Sequence, residues 1–426
     1  MLKAVRGTRD ILPEEMKRWN FIEKVARQVF SAYGFSEIAT PIFEYTELFA
    51  RGIGETSDIV SKEMYTFTDR KNRSLTLRPE GTASVMRAYL ENNLDSDGNE
   101  ATKLFYMGPM FRYERPQKGR YRQHTQIGVE AIGSAKSALD AEIILLLIEF
   151  LTGLGLEGFE LQINNVGCPE CRPAYKKHLI SHLSSVSDSL CKDCQWRWEK
   201  NPMRVFDCKQ VDCQEFLNDA PQVTDHLCQK CEQHFSGLQT LLKRVDVPFT
   251  VNKRLVRGLD YYTRTAFEVV HGKLGAQKAV AAGGRYDNLI EEIGGKSTPG
   301  IGFAMGVDRL SLILEQEQVS IPEQRPLNVY LISLDHDSYN QSFELMYILR
   351  KKGFSAQIGY EERSLKNQLK IANRLNARFA LISGPDENKK GVLLLKDMGS
   401  GSQNEVPLSE LIGKLTDILA PQKRER

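Results

Sequence analysis

The sequence predicts an α+β body built on an antiparallel sheet, interrupted by a mainly helical insertion and followed by a smaller α/β domain. Strand-like segments at 103–113 and 121–132 are chain neighbours joined by a short loop, as hairpin strands are; parallel strands need long crossovers. All eight cysteines fall between Cys168 and Cys231, where strand patterning gives out. Past the linker at 321–326, with its prolines at 322 and 326, strand and helix patterns alternate in short steps. At roughly 150 residues per cooperative unit, 426 residues leave room for about three such parts. These shifts put the body at 1–166 and 246–320, the insertion at 167–245 and the final domain at 326–426.

In the body, Phe21, Ile22, Val25, Ala26, Val29 and Phe30 recur at helical spacing over 19–33, and Gly34 supplies the stop. Strands are expected at 75–78, 103–113, 121–132, 159–164, 267–271 and 300–306. A second helix at 140–154 is apolar along its middle and belongs in a core. The final domain reads as strands at 329–334, 354–360, 379–383 and 392–396, with helices over 339–352, 364–377 and 409–419.

A 41% hydrophobic and 26% charged composition excludes wholesale disorder. The net charge of +2 decides nothing about partners, but from Arg325 onward 16 basic residues face 12 acidic ones. The longest apolar run, 143–148, is far too short to span a membrane, and the N-terminus lacks a signal-peptide core. Both point to a cytoplasmic protein without membrane contact.

Alternation along 121–132 sets Ile127, Val129 and Ala131 on one face and His124, Gln126, Gly128 and Glu130 on the other. The second face is either one wet side of a sheet or a ligand surface. The connection between the hairpin strands carries Arg112, Arg115, Lys118, Arg120 and Arg122 against Glu114 alone, with two tyrosines, a composition suited to phosphates and exposed bases. Arg309 stands in the first turn of a helix after a glycine-rich strand, where a cation opposes the helix dipole unless an anion offsets it. That anion is a bound phosphate or a carboxylate such as Asp308. Around Gly258, Arg257, Asp260, Tyr261 and Tyr262 form either an Arg257–Asp260 structural pair or a polar ligand site. Over 363–378, Lys366, Lys370 and Arg374 make a basic ridge beside a stripe of Leu365, Leu369, Ala372 and Leu375 expected to be buried. An RNA contact or a solvated face would account for the ridge.

The pairs Cys168-x-x-Cys171, Cys191-x-x-Cys194 and Cys228-x-x-Cys231, with Cys208 and Cys213, supply the thiolates that tetrahedral zinc requires. Cys168, Cys171, Cys191 and Cys194 are the first candidates. Nothing beside them offers an open coordination position or a base, so such zinc would be structural, and uncoordinated reduced thiols are the alternative.

Taken together and in this order, the motifs resemble histidyl-tRNA synthetases of the bacterial type, which are class II aminoacyl-tRNA synthetases. Thr76-Leu-Arg-Pro-Glu-Gly-Thr82 resembles the substrate loop, the 111–130 hairpin and 302–309 resemble class motifs 2 and 3, and Ala39-Thr-Pro-Ile-Phe43 resembles motif 1. Leu255-Val-Arg-Gly-Leu-Asp-Tyr-Tyr262 and Ala282-Gly-Gly-Arg-Tyr286 resemble the two histidine-specific signatures. The resemblance implies a class II synthetase fold with an anticodon-binding C-terminal domain, and a homodimer. Its implied reaction joins L-histidine and ATP, with Mg²⁺, into histidyl-adenylate and pyrophosphate, and then transfers histidine to histidine tRNA.

It also implies that Arg112 and Arg257 act at the α-phosphate and substrate carboxylate, and that Arg309 holds the terminal phosphate. His124 falls where class II enzymes often stack phenylalanine on adenine. Glu80, Gly81, Thr82, Gln126, Glu130, Tyr261 and Tyr262 would surround histidine, with Glu80 and Gln126 on its amino group and Glu130 and Tyr262 on its imidazole. Arg115, Lys118, Arg120, Arg122, Lys366, Lys370 and Arg374 would face tRNA. A histidine-binding regulatory subunit of synthetase shape would lack intact histidine signatures and the last domain. A non-catalytic RNA-binding module would not need Arg112, Arg257 and Arg309 together.

Overall fold

A computed structural model describes the chain except for residues 1, 55–56, 58, 96–99, 118, 209, 275–277, 323–326 and 420–426. It divides into two compact units, Met1–Ile321 and Pro322–Arg426. Most of the linker expected at 321–326 lies outside the described residues.

The first unit is organised by an eight-stranded sheet. Its six inner strands run in the order Thr102–Phe111, Gln123–Ile132, Gly300–Gly306, Ala279–Arg285, Thr263–His271 and Phe159–Asn165, antiparallel throughout. Two-residue strands, Ser36–Glu37 and Thr250–Val251, pair in parallel at the edges. The expected hairpin is therefore the start of the sheet. Ala279–Arg285 was not expected as a strand because its run of Ala and Gly lacks bulky or branched side chains. Those small residues let it sit centrally: a Cβ on Gly283 would strike the Gly302 carbonyl and the Phe267 ring.

One face of the sheet is covered by helices Pro13–Ala32, Ser137–Gly153, Gln229–Arg244 and Val307–Gln316, and there Ile127, Val129 and Ala131 are wholly buried. The first helix starts six residues before the apolar period does, because Pro13 occupies its first turn and Glu14 and Glu15 favour its N-terminus. On the other face, helix Thr82–Glu91 and the part of the 167–245 segment between Tyr175 and Leu227 share a core with Tyr261, Tyr262 and Tyr286. Among the described residues that segment has helices and no strand: Arg172–Ser184, Lys192–Lys200, Val211–Phe216 and Gln229–Arg244, linked by 3₁₀ turns. A small three-stranded sheet, Phe43–Tyr45, Ser74–Leu77 and Tyr65–Thr68, leaves Ile42, Phe43, Tyr45 and Phe67 exposed.

A buried ion cluster ties this unit together. Asp140, wholly buried, pairs with the equally buried Arg285 and accepts a 2.7 Å bond from His234 Nε2. Arg285 also donates to Asp287 at 3.0 Å and to the Ser134 carbonyl at 2.6 Å.

The second unit is a five-stranded sheet in the order Ala356–Ile358, Val329–Ser333, Phe379–Ser383, Val392–Asp397 and Gln403–Pro407. The first three are parallel and the last two antiparallel. Gln403–Pro407 escapes sequence reading because it is an edge strand with one buried residue, Val406.

Candidate active site

Gln126 and Glu130 rise from the same face of strand Gln123–Ile132, opposite the buried aliphatic face. Glycines clear the space above them. A Cβ at Gly81 or Gly128 would enter the Tyr106 ring, and one at Gly302 would meet the Glu130 carboxylate.

One end of the site is acidic and aromatic. Glu80 lies just ahead of helix Thr82–Glu91 and accepts the backbone N–H groups of Thr82 at 2.7 Å and Ala83 at 3.0 Å. The helix terminus favours that carboxylate, while burial pushes its pKa up. Glu130 accepts the Thr82 hydroxyl at 2.7 Å and the Tyr286 hydroxyl on its other oxygen. Burial raises its pKa to about 8, with those two bonds opposing the rise. Tyr261 packs with ring centroids 4.7 Å from Tyr262 and 5.8 Å from Tyr286.

The other end is cationic. Arg112 Nε donates to the Pro79 carbonyl at 2.7 Å, and Arg309 Nη1 to the Ala279 carbonyl at 2.8 Å. Arg257 pairs with Glu268 at 2.9 Å and lies over the Tyr262 ring, 5.5 Å from its centroid. In place of the Arg257–Asp260 pair, one of the two alternatives, Arg257 thus takes Glu268 on the strand that follows its loop, and Asp260 accepts from Asn201. Asp308 is likewise engaged by Arg9 at 2.8 Å rather than by Arg309. Burial, then the positive charges of Arg112, Arg309 and Arg120, hold the His124 imidazole down at about 3, so it is neutral. Burial and the field of Arg120 lower Arg309 also.

Both ends open into one cleft of about 980 Å³, lined by Glu80, Thr82, Arg112, His124, Gln126, Arg257, Tyr261, Tyr262 and Arg309. Gly81 and Glu130 are not part of its lining, but Glu130 is bonded to Thr82 and Tyr286, which are. His124 Nδ1, Gln126 Oε1 and Arg257 Nε are buried there without a hydrogen-bond partner among the described residues. An unsatisfied buried polar group costs about 1–3 kcal/mol, which a ligand supplying the partner restores. Sequence reasoning left Tyr286 and Glu268 out of the site. The second histidine signature held the only signal for Tyr286, and no local pattern pointed to Glu268.

The basic residues divide. In the hairpin loop Arg115 is exposed, whereas Arg120 pairs with Glu114 at 3.0 Å and Arg122 lies 3.9 Å over the Tyr113 ring. Lys118 lies outside the described residues. In the second unit Lys366, Lys370 and Arg374 are exposed along helix Leu365–Arg374. The stripe beside them differs from expectation. Leu365 and Leu375 are exposed, and the buried positions are Ala372 and Gln368, whose amide bonds the Ser333 and Arg363 carbonyls. The cysteines also regroup. Cys168 and Cys171 converge with Cys228 and Cys231, while Cys191 and Cys194 converge with Cys208 and Cys213.

The first unit is thus an antiparallel core that gathers arginines from a hairpin and from a strand-to-helix turn around one cleft, and a mixed-sheet unit follows it in sequence. The family profile described as histidyl-tRNA synthetase matches residues 7–171 and 207–310, and that of the anticodon binding domain matches 328–418. The chain belongs to the histidyl-tRNA synthetase family. The histidine–tRNA ligase of Desulforamulus reducens is 51% identical over 407 residues, 96% of this chain and 97% of that one. That of Halothermothrix orenii is 50% identical, covering 98% and 100%. The apo histidyl-tRNA synthetase of S. aureus superposes with a TM-score of 0.84 at 37% identity, over 97% of this chain and 100% of the other. An ATP phosphoribosyltransferase regulatory subunit/histidyl-tRNA synthetase structure from Bacillus halodurans, 21% identical with a TM-score of 0.66, shares the fold. The activity is therefore that of a histidine–tRNA ligase, an aminoacyl-tRNA ligase using ATP with a divalent metal, and its substrates are histidine and tRNA. Among the described residues no helix is long and apolar enough to cross a membrane.

Proposed function

We propose that the two ends of the cleft divide the chemistry between them. Histidine's α-amino group goes to Glu80 and Gln126, and its imidazole to Tyr262 with Glu130 acting through Tyr286 and Thr82. An imidazole has one donor and one acceptor nitrogen when neutral, so partners on both sides select it. Its carboxylate then lies toward Arg112 and Arg257. That carboxylate is already a nucleophile; attack on the α-phosphorus forms the acyl–phosphate bond and expels pyrophosphate, with no protein base required. What the protein supplies is alignment and positive charge where negative charge builds up. Arg112 and Arg257 act at the α-phosphate, Arg309 at the terminal phosphate, and the neutral face of His124 is available to adenine.

Mg²⁺, when bound, would offset the negative charge of the phosphates, held by them and by cleft carboxylates. Such ions are commonly held by substrate phosphates with one or two carboxylates, and Glu114 and Glu268 line the cleft. A homodimer in the cytoplasm, pairing through the exposed Ile42, Phe43, Tyr45 and Phe67, also belongs to this reading, as does an insertion spanning 167–245 between catalytic segments 1–166 and 246–320. Arg115, Lys118, Arg120 and Arg122 are assigned to the tRNA acceptor end, and Lys366, Lys370 and Arg374 in 326–426 to the anticodon end.

The observation that carries the reading is the set of unpartnered buried groups, His124 Nδ1, Gln126 Oε1 and Arg257 Nε, around the one cleft that also holds Arg112 and Arg309. Histidine-dependent exchange between ATP and pyrophosphate tests it, and no exchange would leave a binding protein only. Neutralising Lys366, Lys370 and Arg374 together should raise the KM for tRNA by about tenfold or more with exchange unchanged. Unchanged charging kinetics would reduce that helix to a solvated face.

A further inference from the structure

The two cysteine clusters lie outside the cleft, and the chemistry above makes no use of them. In the first, Cys168 Sγ is 3.7 Å from both Cys171 Sγ and Cys228 Sγ, and Cys171 Sγ is 3.9 Å from Cys231 Sγ. In the second, Cys191 Sγ is 3.8 Å from Cys208 Sγ. Within each set all four sulfurs lie within 4.8 Å of one another. A disulfide would bring two sulfurs to about 2.05 Å. Four sulfurs at the corners of a tetrahedron, each about 2.3 Å from a central zinc, are about 3.8 Å apart. The measured separations match the second geometry.

Their surroundings agree. Six of the eight are buried, and backbone N–H groups aim at sulfurs: Cys168 N at Cys171 Sγ and Cys191 N at Cys213 Sγ, both 3.2 Å, and Gln210 N at Cys208 Sγ, 3.4 Å. Such donors favour thiolate over thiol. Between helices Arg172–Ser184 and Gln229–Arg244 the segment is built of short helices and 3₁₀ turns, which a bound metal would fix.

We infer that these are two separate tetrathiolate zinc centres, Cys168/Cys171/Cys228/Cys231 and Cys191/Cys194/Cys208/Cys213, and that the segments they fix hold the loop bearing Arg257 in place. Each centre takes one divalent ion and releases its thiol protons to solvent. Arg172, next to Cys171, donates to the Val166 carbonyl at 2.9 Å and to the Tyr262 carbonyl. Between Cys194 and Cys208, Asn201 donates to Asp260 at 2.7 Å and Arg204 to the Gly258 carbonyl at 3.0 Å. Three anchors thus fall on residues 258–262. The metal centres stand independently of the ligase reading; only the hold on Arg257 rests on it.

Full-length protein purified without added metal should contain two zinc ions per chain by elemental mass spectrometry, released only when a mercurial titrates the eight thiols. Metal-free protein with all eight thiols freely reactive, or iron in place of zinc, overturns the assignment. Cys228→Ser and Cys208→Ser should each lose one ion and keep the other, and cobalt-substituted forms should show tetrahedral thiolate bands for the centre that remains. Loss of both ions from either variant, with the fold intact by circular dichroism, overturns the partition. Arg204→Ala is the readout for the hold. It should keep both ions and the wild-type melting temperature, yet lower kcat for exchange by about tenfold with KM for ATP little changed, and Arg204→Lys should recover part of the loss. An unchanged kcat overturns the hold on the loop and leaves the two centres standing.

Discussion

The two ends of the cleft solve opposite problems. At the histidine end both carboxylates already have partners, Glu80 two helix N–H groups and Glu130 the Thr82 and Tyr286 hydroxyls, and Gln126 Oε1 is the group left open. At the nucleotide end Arg112, Arg120 and Arg309 bear together on one neutral imidazole, and His124 Nδ1 and Arg257 Nε have no hydrogen-bond partner among the described residues. The acidic end is a preformed mould whose shape selects. The cationic end is held in a charged, partly unsatisfied state that only an anion relieves. Selectivity and rate should therefore respond to different substitutions.

The sharpest break of that contrast is Arg257→Ala. It removes a donor where charge develops and should cut exchange kcat about 10²–10³-fold, with a milder effect on histidine affinity. A wild-type rate would take Arg257 out of the chemistry. Tyr286→Phe leaves one oxygen of the buried Glu130 without its partner, a loss of about 1–3 kcal/mol, so histidine should bind roughly tenfold or more weakly while ATP affinity stays put. If ATP affinity falls equally, the two ends are not separable. A further break lies in pH dependence. Glu130 rises from 4.5 to about 8 on folding, so its contribution to stability is full below 4.5 and is lost as pH rises through about 8. Glu130→Gln should flatten the fall in melting temperature of the ligand-free protein across that range; identical profiles would mean the carboxyl titrates normally.

Legibility in the sequence followed the range of the forces involved. Alternation along 121–132 separated Ile127, Val129 and Ala131 from Gln126 and Glu130, because strand periodicity is a local property. Partnerships were another matter. Arg257 finds Glu268 on the next strand instead of Asp260, three residues away, and Glu130 bonds Tyr286 across 156 positions. The cysteines show the same limit: x-x spacing reveals pairs, but which pairs meet depends on how helices Arg172–Ser184 and Gln229–Arg244 approach. Leu365 and Leu375 misled for a related reason. Gln368, though polar, is buried because the Ser333 and Arg363 carbonyls satisfy its amide.

Arg285 and Tyr286 are adjacent in one signature and face opposite ways, one to Asp140 and His234 in the interior, the other to the substrate floor. Losing Asp140 would strand a guanidinium away from water, at a cost of about 3–5 kcal/mol. A survey that scored only activity would enrol Asp140, Arg285 and Tyr286 alike as substrate contacts, and a melting curve would sort the first two from the third.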